Sequence, residues 1–167
     1  ERMMAAAQEM DFEQANVFKE KMLSLEKHYS KSVIMNAAVG DVDVFSLIFD
    51  ANEAYGNFMR IRGGAVIQSL NLGFRLQIEE EQADVLEMFI GEIQSKFGEL
   101  SKEVIVPFKP SVEMDGIEFR IPQRGDKLSL LELSARNAKE MRMNAMLQRE
   151  HTDPDNYKKM VMESLQK

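Results

Sequence analysis

Apolar residues recur along the chain with two different periods, and the change from one to the other divides it. Over residues 1–31 the spacing is helical: Met3, Ala7 and Met10 share one face, and Ala15, Phe18, Met22, Leu25 and Tyr29 follow the three-and-four step of a packing seam. This predicts an antiparallel pair of helices turning near Met10 and Asp11. Asp11 opens the second helix by accepting its free amide hydrogens, with Gln14 reaching back as in a capping box. Two helices cover only one seam, so the hairpin needs a second surface, either the rest of the chain or another protein. Residues 32–40 have weak periodicity and end in Gly40, which predicts a connector.

Beyond residue 40 the period becomes two. Val42, Val44 and Phe45 open one strand; Phe58, Met59, Arg60 and Ile61 form a second; Leu70, Leu72, Phe74 and Leu76 alternate with Asn71, Gly73 and Arg75 in a third. Turns are predicted at residues 52–56 and 62–64, both rich in residues that tolerate positive φ. A helix over 79–97 follows, burying Leu86, Phe89, Ile93 and Phe97, with Glu79, Glu80 and Glu81 solvated at its positive end. The apolar run at 103–108 reads as a buried fourth strand and 116–122 as a fifth. A last helix over 127–148 buries Leu128, Leu131, Ala135 and Ala138 and takes Asp126 or Ser129 as its cap. Residues 149–167 read as a helical extension. The fold class is therefore α+β: a helical hairpin, then three strands, a helix, two strands and a helix. That order is the skeleton of a ribonuclease H-like domain over 41–148, with a mixed five-stranded sheet and flanking helices.

Composition narrows the chemistry. Hydrophobic residues make up 44% and charged residues 29% of the chain, and no apolar run reaches the length of a membrane helix, so no membrane partner is expected. There is no cysteine, which excludes disulfides, thiolate metal sites and a cysteine nucleophile and fits a cytoplasmic address. The start lacks the pattern of a secretion signal and has no initiator methionine, so the chain reads as a fragment. His28 and His151 stand in no ligand spacing, and neither a metal nor another cofactor is expected. A formal charge of −7 confines nucleic-acid contact to local basic spots. One spot is Arg60, Arg62 and Arg75 near the hairpin strands; the other is Arg120, Arg124 and Lys127 before the last helix. Arg60, Arg62, Arg124 and Lys127 are the candidates for contact with a DNA backbone, set against a merely solvated surface.

Phosphodiester cleavage on such a fold needs carboxylates from several elements converging on two divalent ions. Asp41 and Asp43 lie at the start of the first strand, but the fourth strand, Val104-Ile105-Val106-Pro107-Phe108, ends without a carboxylate. Asp41 and Asp43 are read as strand-start or turn residues, and no catalytic residue is expected.

Two stretches carry a family resemblance. Met4-Ala5-Ala6-Ala7, Met10-Asp11-Phe12-Glu13-Gln14-Ala15 and Lys19-Glu20-Lys21-Met22-Leu23-Ser24-Leu25-Glu26 together resemble the UVR motif, the helical hairpin shared by UvrB, UvrC and some Clp ATPase components. Pro122-Gln123-Arg124-Gly125-Asp126-Lys127, with Leu130-Leu131-Glu132-Leu133 and Ala135-Arg136-Asn137-Ala138, is similar to the stretch that precedes the catalytic domain in UvrC proteins. The second is the more specific. Asn16 and Lys19-Glu20 depart from the motif's commoner Ala and Arg-Asp, and residues 109–115, with Pro110, leave little room for a helix the family commonly has there. The resemblance implies the central part of a nucleotide excision repair nuclease subunit, acting on damaged DNA, with its two cutting domains outside this chain. It further implies that the hairpin docks on UvrB: Phe12 as the aromatic anchor, Glu13 and Lys19 setting register, and Ala15, Phe18, Met22 and Leu25 supplying the seam. The domain over 41–148 is then a degenerate scaffold. The alternatives are an independently active metal-dependent nuclease and a UVR-bearing adaptor of a Clp protease.

Overall fold

The computed structural model describes residues 36–77, 80–152 and 162; the hairpin expected over 1–31 and most of the terminal extension lie outside them. After a short 3-10 turn at Ala37–Val39 come β1 (Val42–Phe49), β2 (Glu53–Arg62), β3 (Ala65–Arg75), α1 (Gln82–Phe97), β4 (Glu103–Ile105), β5 (Glu118–Arg120) and α2 (Gly125–Thr152). The strands form one five-stranded sheet in the order β3-β2-β1-β4-β5. β1–β2 and β2–β3 are antiparallel, while β4 and β5 continue parallel from β1. This is the mixed sheet of a ribonuclease H-like domain, and no helix among the described residues is long and apolar enough to cross a membrane.

β1 lies in the middle because both of its faces are apolar. Phe45 and Leu47 join Phe58, Leu86, Phe89, Ile90 and Ile93 in a core under α1. On the opposite face Val42 and Val44 join Met59, Ile61, Ile105 and Leu130 under α2. The Gly63-Gly64 turn forms as expected: both residues have positive φ, 56° and 81°, as the tight two-residue hairpin requires. Asp41 accepts the Gly63 amide at 3.1 Å and closes this turn, the role expected of it.

Other boundaries differ from expectation, each for a local reason. The turn expected at 52–56 sits earlier, because β2 begins at Glu53 and carries the buried Tyr55 and Gly56 inside the strand. Gly56 marks a close approach: a Cβ there would lie 2.6 Å from Cε1 of Phe89. β3 starts at Ala65 and holds a bulge, since Arg60 opposes Gln68 while Ile61 opposes Val66, leaving Ile67 without a partner and exposed. β4 stops at Ile105; the Val106 amide still donates to the Arg120 carbonyl at 3.0 Å, but Pro107 has no amide to continue the ladder. β5 is likewise shorter than 116–122, spanning Glu118–Arg120. Residues between β4 and β5 form no helix, in line with the expected trimming; the Val112 amide donates to Glu87 Oε1 at 2.8 Å, and Phe108, Met114 and Ile117 pack on the α1-side core.

α2 is longer than expected and turned slightly about its axis. It begins at Gly125, so Asp126 and Ser129 lie within it, and the Ser129 hydroxyl donates back to the Gly125 carbonyl at 3.4 Å instead of capping. Its buried residues are Leu130, Ser134 and Ala138. Ser134 takes the centre of the seam because its hydroxyl meets Ser46 Oγ at 2.8 Å and donates to the Asn57 carbonyl at 3.0 Å or to Asn57 Oδ1 at 2.8 Å. Asn57 in turn donates to Asn71 Oδ1 at 2.7 Å, so a polar line crosses the sheet beneath the helix with its groups satisfied.

The far half of α2 is tied to the β1–β2 turn by Arg142–Asp50 and Arg149–Glu53, and Tyr55 donates to the same Glu53. Burial pushes the Tyr55 hydroxyl up, and its bond to Glu53 pushes it further, to about 12, so it stays a donor. Burial also raises the Glu53 carboxyl, but the bonds from Arg149 and Tyr55 and the charges of Arg149 and Arg75 outweigh this and hold it below its ordinary value. A carboxyl lowered by folding contributes stability fully above its unfolded value, and the contribution is lost as pH falls through the folded one. We expect the stability gap between the wild type and Arg149→Gln to be constant near neutral pH and to close in acid below the ordinary value of 4.5. Urea unfolding across that range checks it; a gap that persists in strong acid would refute the assignment.

Candidate functional site

Among the described residues the one buried acidic side chain is Asp43, with none of its surface exposed. It stands on β1 directly opposite Arg60 of β2. Arg60 Nε donates to Asp43 Oδ1 at 3.0 Å and Nη2 to Oδ2 at 3.1 Å, a two-pronged pair. Two further donors reach the carboxylate: Arg62 Nη1 lies 3.4 Å from Oδ1, and the Ser101 amide 3.0 Å from Oδ2. A carboxylate offers about four lone-pair directions, so every one here is taken by a donor of this chain.

Arg60 is equally committed. Beyond Asp43 it donates to Gln68 Oε1 and the Phe97 carbonyl, each at 3.3 Å, and to the Glu99 carbonyl at 2.9 Å. Its guanidinium thus satisfies free carbonyls at the end of α1 while the ring of Phe58 lies 5.5 Å beneath it. Arg62 is held by Ser101 Oγ at 2.7 Å and by its neighbour's carbonyl, from Ile61, at 2.8 Å. The structure brings Arg60 and Arg62 together on Asp43, whereas Arg75 stands at the other end of the hairpin, opposite Glu53.

The second basic spot is an open groove of about 420 Å³ along β5 and the start of α2. Phe119, Ile121 and Pro122 give it an apolar lining, and Glu118, Arg120, Arg124 and Lys127 rim it. Glu103 takes Lys127 at 2.5 Å and Arg120 at 3.3 Å, and Arg120 also pairs with Glu118 at 2.9 Å. Arg124 is exposed and has no ion-pair partner among the described residues.

Two-metal cleavage needs clustered carboxylates. Among the described residues no three His, Asp or Glu side chains gather in a group that could hold a metal ion. Sequence reasoning missed the polar partners of Asp43: Ser101, the carbonyls of Phe97 and Glu99, and Gln68. The signal was present in part, because Asp43 and Arg60 lie on consecutive antiparallel strands, and the β1–β2 turn at residues 50–52 sets them opposite each other. The carbonyls at the end of α1 have no such sequence mark. Phe12, Glu13, Ala15, Phe18, Lys19, Met22 and Leu25 fall outside the described residues.

The family model described as the UvrC ribonuclease H-like domain matches residues 41–145. The UvrABC system protein C of Flavobacterium johnsoniae is 39% identical over 161 residues, covering 96% of this chain and 27% of that protein. Its counterpart in Bacteroides thetaiotaomicron is 34% identical over 167 residues, covering 99% of this chain and 27% of that protein. The chain thus spans about a quarter of the length of the curated relatives it matches. A solved Ciona intestinalis endonuclease V superimposes with a TM-score of 0.32 at 8% identity, over 55% of this chain and 46% of that one, too distant a likeness to bear on function.

Proposed function

The chain belongs to the UvrC family, and from that premise we propose that it is a recruiting and scaffolding piece: a hairpin that docks on UvrB, and a ribonuclease H-like domain that orients the repair complex on damaged DNA without cutting it. The observation that carries the second half is Asp43. A catalytic carboxylate must keep lone pairs free for a divalent ion. All those of Asp43 face Arg60, Arg62 and the Ser101 amide. A guanidinium occupies the side on which a metal would have to sit, and the chain needs no cofactor of its own in this role.

Recruitment rests on the hairpin pattern over residues 1–31 and on its resemblance to the UVR motif. Phe12 is the anchor, because a buried aromatic at the start of the second helix can fill a pocket on a partner hairpin and dominate its affinity. Glu13 and Lys19 set register, and Ala15, Phe18, Met22 and Leu25 extend the apolar seam. Phe12→Ala in the intact chain is expected to weaken binding to UvrB's carboxy-terminal hairpin by about 2 to 4 kcal/mol, with helix content unchanged. Isothermal calorimetry alongside circular dichroism tests it, and unchanged affinity ends the recruitment reading.

For DNA, the groove is the better candidate. The guanidinium of Arg60 is spent inside the domain, and Arg62 is held by Asp43 and Ser101. We assign backbone contact first to Arg124, which has no ion-pair partner among the described residues, and with it to Lys127, whose pair with Glu103 lies at the groove rim; both stand at the positive end of α2, where phosphate is favoured by side-chain charge and free amides.

A further inference from the structure

Among the described residues the sheet leaves one long edge open. β3 is its longest strand at eleven residues, pairs with β2 on one side, and has no neighbour among the described residues on the other. Such an edge presents unmatched amide and carbonyl groups, and proteins commonly blunt it with lysines, prolines, bulges or short strands. The opposite edge follows that rule: β5 is three residues long and two of them, Glu118 and Arg120, are charged. β3 has its bulge at Ile67 and a single charge, Arg75, at its last position. Past the bulge it is regular, and residues 65–74 contain neither a charged residue nor a proline.

We propose that β3, over residues 68–74, is an interaction surface for a second copy of this chain, the two strands pairing antiparallel about a two-fold axis into one continuous sheet. The argument is one of charge and alternation, independent of the UvrB reading. An edge without charge selects a strand equally free of it, because a charged partner would lose hydration with nothing to pair against. Among the described strands β3 alone offers a long uncharged run at an edge, residues 65–74, with its single charge, Arg75, at the end; β1 carries Asp43 and is central, β2 carries Glu53, Arg60 and Arg62, β4 carries Glu103, and β5 carries Glu118 and Arg120. Two copies of formal charge −7 repel, so the contact that costs least is one made through uncharged surface.

The side chains of β3 are also self-complementary. Leu70, Leu72 and Phe74 are half-buried on the α1 side, and Ser69 and Asn71 are exposed on the other. A two-fold axis perpendicular to the sheet keeps each set on its own face, so apolar residues meet apolar ones and polar meet polar. Arg75, just past this run, lies opposite Glu53 of its own β2, so its charge is matched within each copy.

Sedimentation velocity of the intact chain over a concentration series should show a reversible dimer. Ser69→Lys places like charges across the axis and should raise the dimer dissociation constant at least tenfold, while Ser69→Thr leaves it unchanged; Ile67→Lys repeats the test should Ser69→Lys fail to fold. Because the chain has no cysteine, Asn71→Cys should form a disulfide-linked dimer on mild oxidation, and Lys139→Cys on the exposed face of α2 should not. A chain that stays monomeric throughout overturns the proposal. So does a dimer indifferent to Ser69→Lys that Asn71→Cys fails to cross-link, which would assign the association to another surface.

Discussion

Arg60→Met should cost the domain about 3 to 5 kcal/mol of stability, because it leaves a buried charge without its main partner. Methionine keeps much of the volume, so the loss reports charge more than cavity. Asp43 would retain only the Ser101 amide and the longer contact from Arg62, and the carbonyls of Phe97 and Glu99 would each lose a donor. Removing both partners should be milder than the sum of the single changes, since Asp43→Asn lifts the unpaired charge that makes Arg60→Met severe. Urea unfolding of the four proteins measures this cycle. An Arg60→Met loss under about 1 kcal/mol would mean that the pair is surface-like in energy and that Asp43 has water or another cation at hand.

Phe89→Ala should cost a similar amount, about 3 to 5 kcal/mol, by opening a cavity at the heart of the α1-side core. Phe89 is fully buried; its ring meets Phe45 edge-on at 5.2 Å and Phe74 at 5.3 Å. The same ring lies on Gly56, where an added Cβ would come within 2.6 Å of it. Gly56→Ala should therefore destabilise by about 1 to 3 kcal/mol through overpacking, although the strand conformation itself accepts alanine. Combined with Phe89→Leu, Gly56→Ala should cost less than the two changes separately, since the smaller side chain leaves room for the new methyl. Additive losses in thermal unfolding would show that the close approach is not what keeps Gly56.

These positions show what a sequence discloses and what it withholds. The strand and helix order was legible because Val42, Val44, Phe58, Leu70, Leu72, Leu86 and Phe89 repeat at periods that only one secondary structure satisfies. The Gly63-Gly64 turn was legible because its geometry demands those residues. Gly56 misled for the same reason: glycine signals both a turn and a near neighbour, and only the position of Phe89 tells them apart. Ser134 was not legible as a buried residue because a serine between Leu133 and Ala135 carries no apolar signal, and Ser46 and Asn57 reach it only through tertiary packing. At the candidate site, the lack of a carboxylate after β4 was visible in Val106, Pro107 and Phe108. The commitment of Asp43 to arginine was only half visible, because Arg60 is set opposite by hairpin register while the Ser101 amide and the ends of α1 arrive through tertiary packing.

The most direct test of a docking and scaffold role is to incubate the intact chain with an end-labelled duplex in Mg²⁺ or Mn²⁺ and follow binding and cleavage together. The account predicts a retarded but uncut duplex, with retardation falling steeply as salt rises and lost in the Arg124→Ala, Lys127→Ala double variant. Metal-dependent strand scission that disappears in Asp43→Asn would contradict it, and would make the buried carboxylate of β1 a metal ligand after all.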